Sequence, residues 1–140
     1  MARMQSLGRM VLALVLALML GGAPASAQER GIKDTITQQL EAFKADDFGA
    51  AFDFASPTIK NIFRTPENFG AMVKQGYPMV WRPGEVTYLE QREIAGAIWQ
   101  KVQIVDGTGR VHVLDYQMIQ TPEGWQINGV QLLKQPEVAA

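Results

Sequence analysis

Along this chain of 140 residues the spacing of apolar side chains changes once, near residue 80, and that change decides the class of fold. Before it, apolar residues recur at helical intervals: Ile32, Ile36, Leu40 and Phe43, then Phe48, Ala51, Phe52 and Ala55, then Phe69, Met72 and Val73. After Pro83 the interval is two. Segments 86–92, 97–105, 110–120 and 125–133 read as strands, separated by turns at Ala95-Gly96, Asp106-Gly107-Thr108-Gly109 and Pro122-Glu123-Gly124. Turns this short between consecutive strands predict an antiparallel meander. Helices first and an antiparallel sheet afterwards predict an α+β fold. Amino-terminal helices would pack on one face of a curved, cone-like sheet of about four to five strands and leave a concave pocket.

Helix starts are marked chemically. Asp46 and Asp47 precede the second stripe, and either can accept from free amino-terminal N–H groups. Ser56-Pro57 and Thr65-Pro66 each pair a hydroxyl cap with proline at the first helical position. Gly76 is expected to end the helical part of the chain in a left-handed conformation. In the segment that follows, Tyr77 and Arg82 each precede a proline and are pushed towards extended backbone. Residues 79–82 are therefore expected as a short edge strand or crossover, a joint between helices and sheet. Its side chains Tyr77, Trp81 and Arg82 would stand near a rim.

The amino terminus carries a second pattern. Arg3 and Arg9 lead into the apolar run 10–20, then Gly21, Gly22 and Pro24, then Ala25-Ser26-Ala27. This is the layout of a secretory signal peptide, with cleavage expected after Ala27. Eleven residues of helix span about 16 Å, roughly half of a bilayer core, so no stable membrane anchor is expected after cleavage. The expected organisation is a signal peptide over 1–27, one α+β domain over 28–135 and a frayed tail over 136–140. Export points to the periplasm or the medium. With no cysteine in the sequence, stability must come from the core alone.

A run of residues extends this reading. Ala55-Ser56-Pro57, Phe69, Met72-Val73, Gly76-Tyr77-Pro78 and Arg82-Pro83, closed by Trp125-Gln126-Ile127-Asn128-Gly129-Val130, resembles the small bacterial proteins grouped as domain of unknown function 4864. That family is similar to the nuclear transport factor 2-like superfamily. The resemblance implies helices folded against a strongly curved sheet into a cone. It implies no activity and no catalytic residues.

Composition excludes several chemistries. The basic residues are unclustered and the chain past residue 27 is mildly acidic, so no nucleic-acid partner is expected. With a single histidine, His112, and no cysteine, neither a transition-metal site nor a cysteine or serine triad can be assembled convincingly, and no cofactor motif is present. What survives is a pocket. A regular strand over 111–120 puts Asp115 on one face and His112 and Tyr116 on the other, so an acid–base pair would need a further member such as Asn128 or Tyr77. No residue is assigned a catalytic or metal-binding role. The leading expectation is a non-catalytic exported module that binds a small apolar ligand or a partner protein, with Tyr77, Trp81, Arg82, Asp115, Tyr116 and Asn128 as ligand-binding candidates. The alternatives are an isomerase- or hydratase-type acid–base enzyme using Asp115 or Tyr116, and a structural homodimer pairing through the sheet face that carries Trp99, Lys101 and Gln103.

Overall fold

A computed structural model describes residues 25–134. The expected signal peptide up to residue 24 and the expected tail from residue 136 lie outside the described residues. The elements run α1 (Ala25–Lys44), α2 (Phe48–Asp53), α3 (Pro57–Phe63), α4 (Pro66–Gly76), α5 (Pro78–Trp81), β1 (Pro83–Ile94), β2 (Ala97–Asp106), β3 (Val111–Thr121) and β4 (Gly124–Leu133). The four strands form one open antiparallel sheet in the order β1-β2-β3-β4, and the helices pack on one of its faces. This is the α+β meander that the change of period predicts.

The helical stripes make the core. Ile32, Ile36, Leu40 and Phe43 of α1 are all buried, as are Phe52, Phe69 and Val73. From the sheet they meet Val102, Ile104, Leu114, Tyr116, Met118 and Ile127, the inward members of their strands. Helices α2, α3 and α4 begin as their capping residues dictate. Asp47 accepts from Ala50 N, Ser56 from Ile59 N and Thr65 from Asn68 N. Gly70 lets α2 and α4 approach closely, since a Cβ there would lie 2.7 Å from a ring carbon of Phe48.

Two local expectations are corrected. Gly76 lies within α4 with ordinary helical backbone, and Tyr77 (φ −136°) closes that helix through its N–H to Val73 O. The helical part does not stop there, because residues 78–81 form the helical turn α5 and not an edge strand. Proline at the first position of a helix loses no hydrogen bond and already has helical φ, so Pro78 starts a turn as readily as it breaks a strand.

Where α1 ends, Asp46 occupies the left-handed region (φ 55°) and Asp47 N–H reaches back to Ala42 O, a Schellman closure that glycine usually serves. The Asp46 carboxylate is held by Trp81 Nε1 (2.9 Å) and by both oxygens to Arg82 Nη2 (3.0 Å each). These hydrogen bonds, Trp81 first and Arg82 second, keep its pKa below the usual carboxylate value.

The sheet is interrupted by bulges at Gly84, at Leu89-Glu90 and at Asn128. Each extra residue bends its strand. Buried Gln100 satisfies the second bulge from β2 by donating to Leu89 O (3.0 Å). At the far edge, residues 54–56 run parallel to β4. Ile127 N donates to Phe54 O and Ser56 N donates to Ile127 O, each at 2.8 Å.

Candidate ligand cavity

Where α1, α3, α4 and α5 lean over β4, the core is incompletely filled. A cavity of about 240 Å³ remains, walled by Phe43, Phe63, Phe69, Met72, Val73, Val80, Ile127 and Val130 among others. Its position follows from the fold: α3 and α4 are short, and the bulge at Asn128 turns β4 beneath them. The three phenylalanines belong to one aromatic cluster, with Phe69 5.8 Å from both Phe43 and Phe63 between ring centroids. Ile59, Phe63, Met72, Tyr77 and Val130 are only half-buried and form the mouth.

Among the described residues no charged side chain lines this cavity, and two polar ones do: Gln39 and Tyr77. Gln39 is 3% exposed and donates through Nε2 to Ala51 O (3.1 Å), fastening α1 to α2. Tyr77 stands between α4 and α5 and donates its hydroxyl to Val130 O (3.3 Å) on the edge strand. Gln39 was not among the candidates read from sequence. It lies three residues after Ile36 and four before Phe43, so an amide on an otherwise apolar stripe is the feature that marks it.

The six sequence candidates are not brought together. Tyr77 lines the cavity. Trp81 and Arg82 are tied to Asp46 at the end of α1, with the Arg82 guanidinium 4.0 Å from the Trp81 ring centroid. Asp115 lies on the sheet face away from the helices, where Arg92 grips it bidentately at 2.9 and 2.8 Å. That ion pair holds the Arg92 pKa above its usual value. Tyr116 points into the core, completely buried, and burial raises its pKa above the usual phenol range. Asn128 sits in the β4 bulge, accepting from Ser56 Oγ (2.8 Å) and donating to Gln117 Oε1 (2.9 Å). Neither Asp115 nor Tyr116 reaches the cavity, so the acid–base arrangement considered from sequence is not assembled there. His112 donates through Nε2 to Asp106 Oδ2 (2.8 Å) in the β2–β3 hairpin.

A second concavity lies beside Trp125, between the start of α1 and the β3–β4 turn, with Gln38, Asp53, Lys60, Asn61 and Glu123 on its wall. That wall carries charged and amide side chains, whereas an apolar hollow with two oriented polar groups is the usual form of a small-molecule site. Among the described residues no helix is long and apolar enough to cross a membrane, and no three potential metal ligands gather.

No curated protein and no solved structure matches the chain. A family model does match, over residues 25–140, nearly all of the sequence past the first apolar run. The chain belongs to that family, Domain of unknown function (DUF4864).

Proposed function

We propose that this chain is an exported, non-catalytic binding module that holds a small apolar ligand in the cavity between α4, α5 and β4. One observation carries the reading: a hollow of about 240 Å³ whose wall, among the described residues, has no charged side chain. Closing an apolar void of this size would stabilise a protein by up to about 6 kcal/mol at roughly 24 cal/mol per Å³. That is a large share of the ~5–15 kcal/mol typical of a whole domain, and an occupant supplies the missing contacts. Export is supported by the charged, apolar and small-residue order of the first 27 residues. Helices on one face of a bulged antiparallel sheet are also what kinship with the nuclear transport factor 2-like superfamily would require.

The test is chemical. Protein purified from a periplasmic fraction is extracted with organic solvent and the extract analysed by mass spectrometry. One apolar compound, recovered in near-stoichiometric amount and rebinding the emptied protein, is the expected result. An empty extract, together with no thermal stabilisation by any apolar compound small enough for the cavity, would overturn the proposal.

A further inference from the structure

We infer that the ligand is a neutral molecule bearing a hydrogen-bond donor, an alcohol of about nine or ten non-hydrogen atoms, and that the cavity rejects carboxylates. This rests on the apolar-ligand reading and adds the ligand's class. Size comes from volume. A dry apolar cavity of about 150 Å³ holds benzene, so the same packing in a cavity of about 240 Å³ admits roughly nine or ten heavy atoms.

The class follows from the two polar groups. Gln39 has given one of its two amide hydrogens to Ala51 O, which fixes the amide orientation, since a flip would set two carbonyl oxygens against each other. Among the described residues no donor reaches its Oε1. Tyr77 has given its only proton to Val130 O, which leaves its oxygen as an acceptor. Two oxygens therefore offer lone pairs, and the second Gln39 N–H is the one proton left to give. One hydroxyl uses both kinds of group, donating to either oxygen and accepting from that N–H. A ketone oxygen could accept from that N–H but would leave both wall oxygens without a donor, and a carboxylate would be desolvated with no cation among the described residues of the wall to meet it.

Three probes of nearly equal size separate these cases: octan-2-ol, octan-2-one and octanoate, titrated at pH 7.5 into emptied protein and followed by NMR shift changes of cavity methyl groups. Octan-2-ol should bind about tenfold more tightly than octan-2-one, with octanoate at least a further tenfold weaker. Equal affinity for alcohol and ketone, or octanoate binding as well as the alcohol, overturns the inference yet leaves an apolar ligand site. Failure of all three to bind removes both proposals. In Tyr77→Phe the alcohol's advantage over the ketone should fall to about threefold with ketone binding no weaker than the parent's, whereas Gln39→Met, which also removes the donor, should weaken both ligands. Ketone binding by each variant reports that it is folded; should Gln39→Met fail to fold, Tyr77→Phe decides, and an unchanged preference there overturns the assignment.

Discussion

Tyr116 and Asp115 are chain neighbours with opposite fates, and alternation along β3 is the reason. Tyr116 is fully buried, and its hydroxyl meets no partner among the described residues. A buried hydroxyl without a partner is destabilising, so Tyr116→Phe should raise stability by about 1 kcal/mol. A higher urea midpoint with an unchanged slope is the expected result; a lower midpoint would mean that the hydroxyl is satisfied in solution. Asp115 faces the other way, its side chain 8% exposed beneath that of Arg92 at 25%. Asp115→Asn leaves the guanidinium half-buried without its counter-charge and should cost about 2 kcal/mol. Replacing both, as Arg92→Met with Asp115→Leu, should cost less than Asp115→Asn alone, because no charge is then stranded. Denaturation of these two variants beside the parent decides it.

At the scale of elements, the β2–β3 hairpin is held by one carboxylate. Asp106 accepts from Thr108 N and Oγ1, Arg110 N and His112 Nε2. These bonds, that from the Thr108 side chain foremost and His112 next, lower its pKa well below the ordinary value. A carboxylate whose pKa falls on folding stabilises the protein above its unfolded pKa. That contribution is lost as the pH drops below about 4 towards the folded value. Asp106→Asn should therefore melt at a lower temperature than the parent at neutral pH, with the difference narrowing from about pH 5 to pH 2. A difference constant with pH would assign the effect to shape and not to charge. The hairpins are also the elements most legible in the sequence. Ala95 and Gly96 both have positive φ (51° and 81°), the backbone a tight two-residue turn demands, and β2 after the turn alternates between buried and half-buried positions. α5 was not legible. Four residues are too few to show a period, and two flanking prolines read as extended chain until the surrounding helices are in place. The cavity was less legible still, since its wall is drawn from five segments that only the tertiary fold brings together. Of the site, Tyr77 could be marked from its place beside a joint, whereas Trp81 and Arg82 beside it turned out to fasten Asp46.

Across the whole molecule, the helix layer and the sheet meet well over most of their area and poorly at one corner. Val130 sits half-buried at that corner, on the mouth of the cavity. Val130→Phe should fill it with a ring, abolishing stabilisation by added octan-2-ol while leaving the unliganded protein at least as stable. Thermal melts with and without the alcohol test both halves of the statement. The expected cleavage after Ala27 would remove only the start of α1, ahead of its first buried residue, Ile32. The domain that would remain keeps every core residue identified among the described residues.

The parallel pairing of residues 54–56 with Ile127 carries a kinetic meaning as well. The meander is stitched by neighbours in sequence, and its hairpins can form early because their loops are short. The Ala55–Ile127 bridge, in contrast, closes a loop spanning most of the domain, and a contact of such separation is entropically costly until both halves are built. Folding should therefore end there, with the helical half clipped to the finished sheet. Amide exchange would show the order directly: the N–H groups of Ser56 and Ile127 should gain protection later than those of the β2–β3 ladder when refolding is pulsed with deuterium.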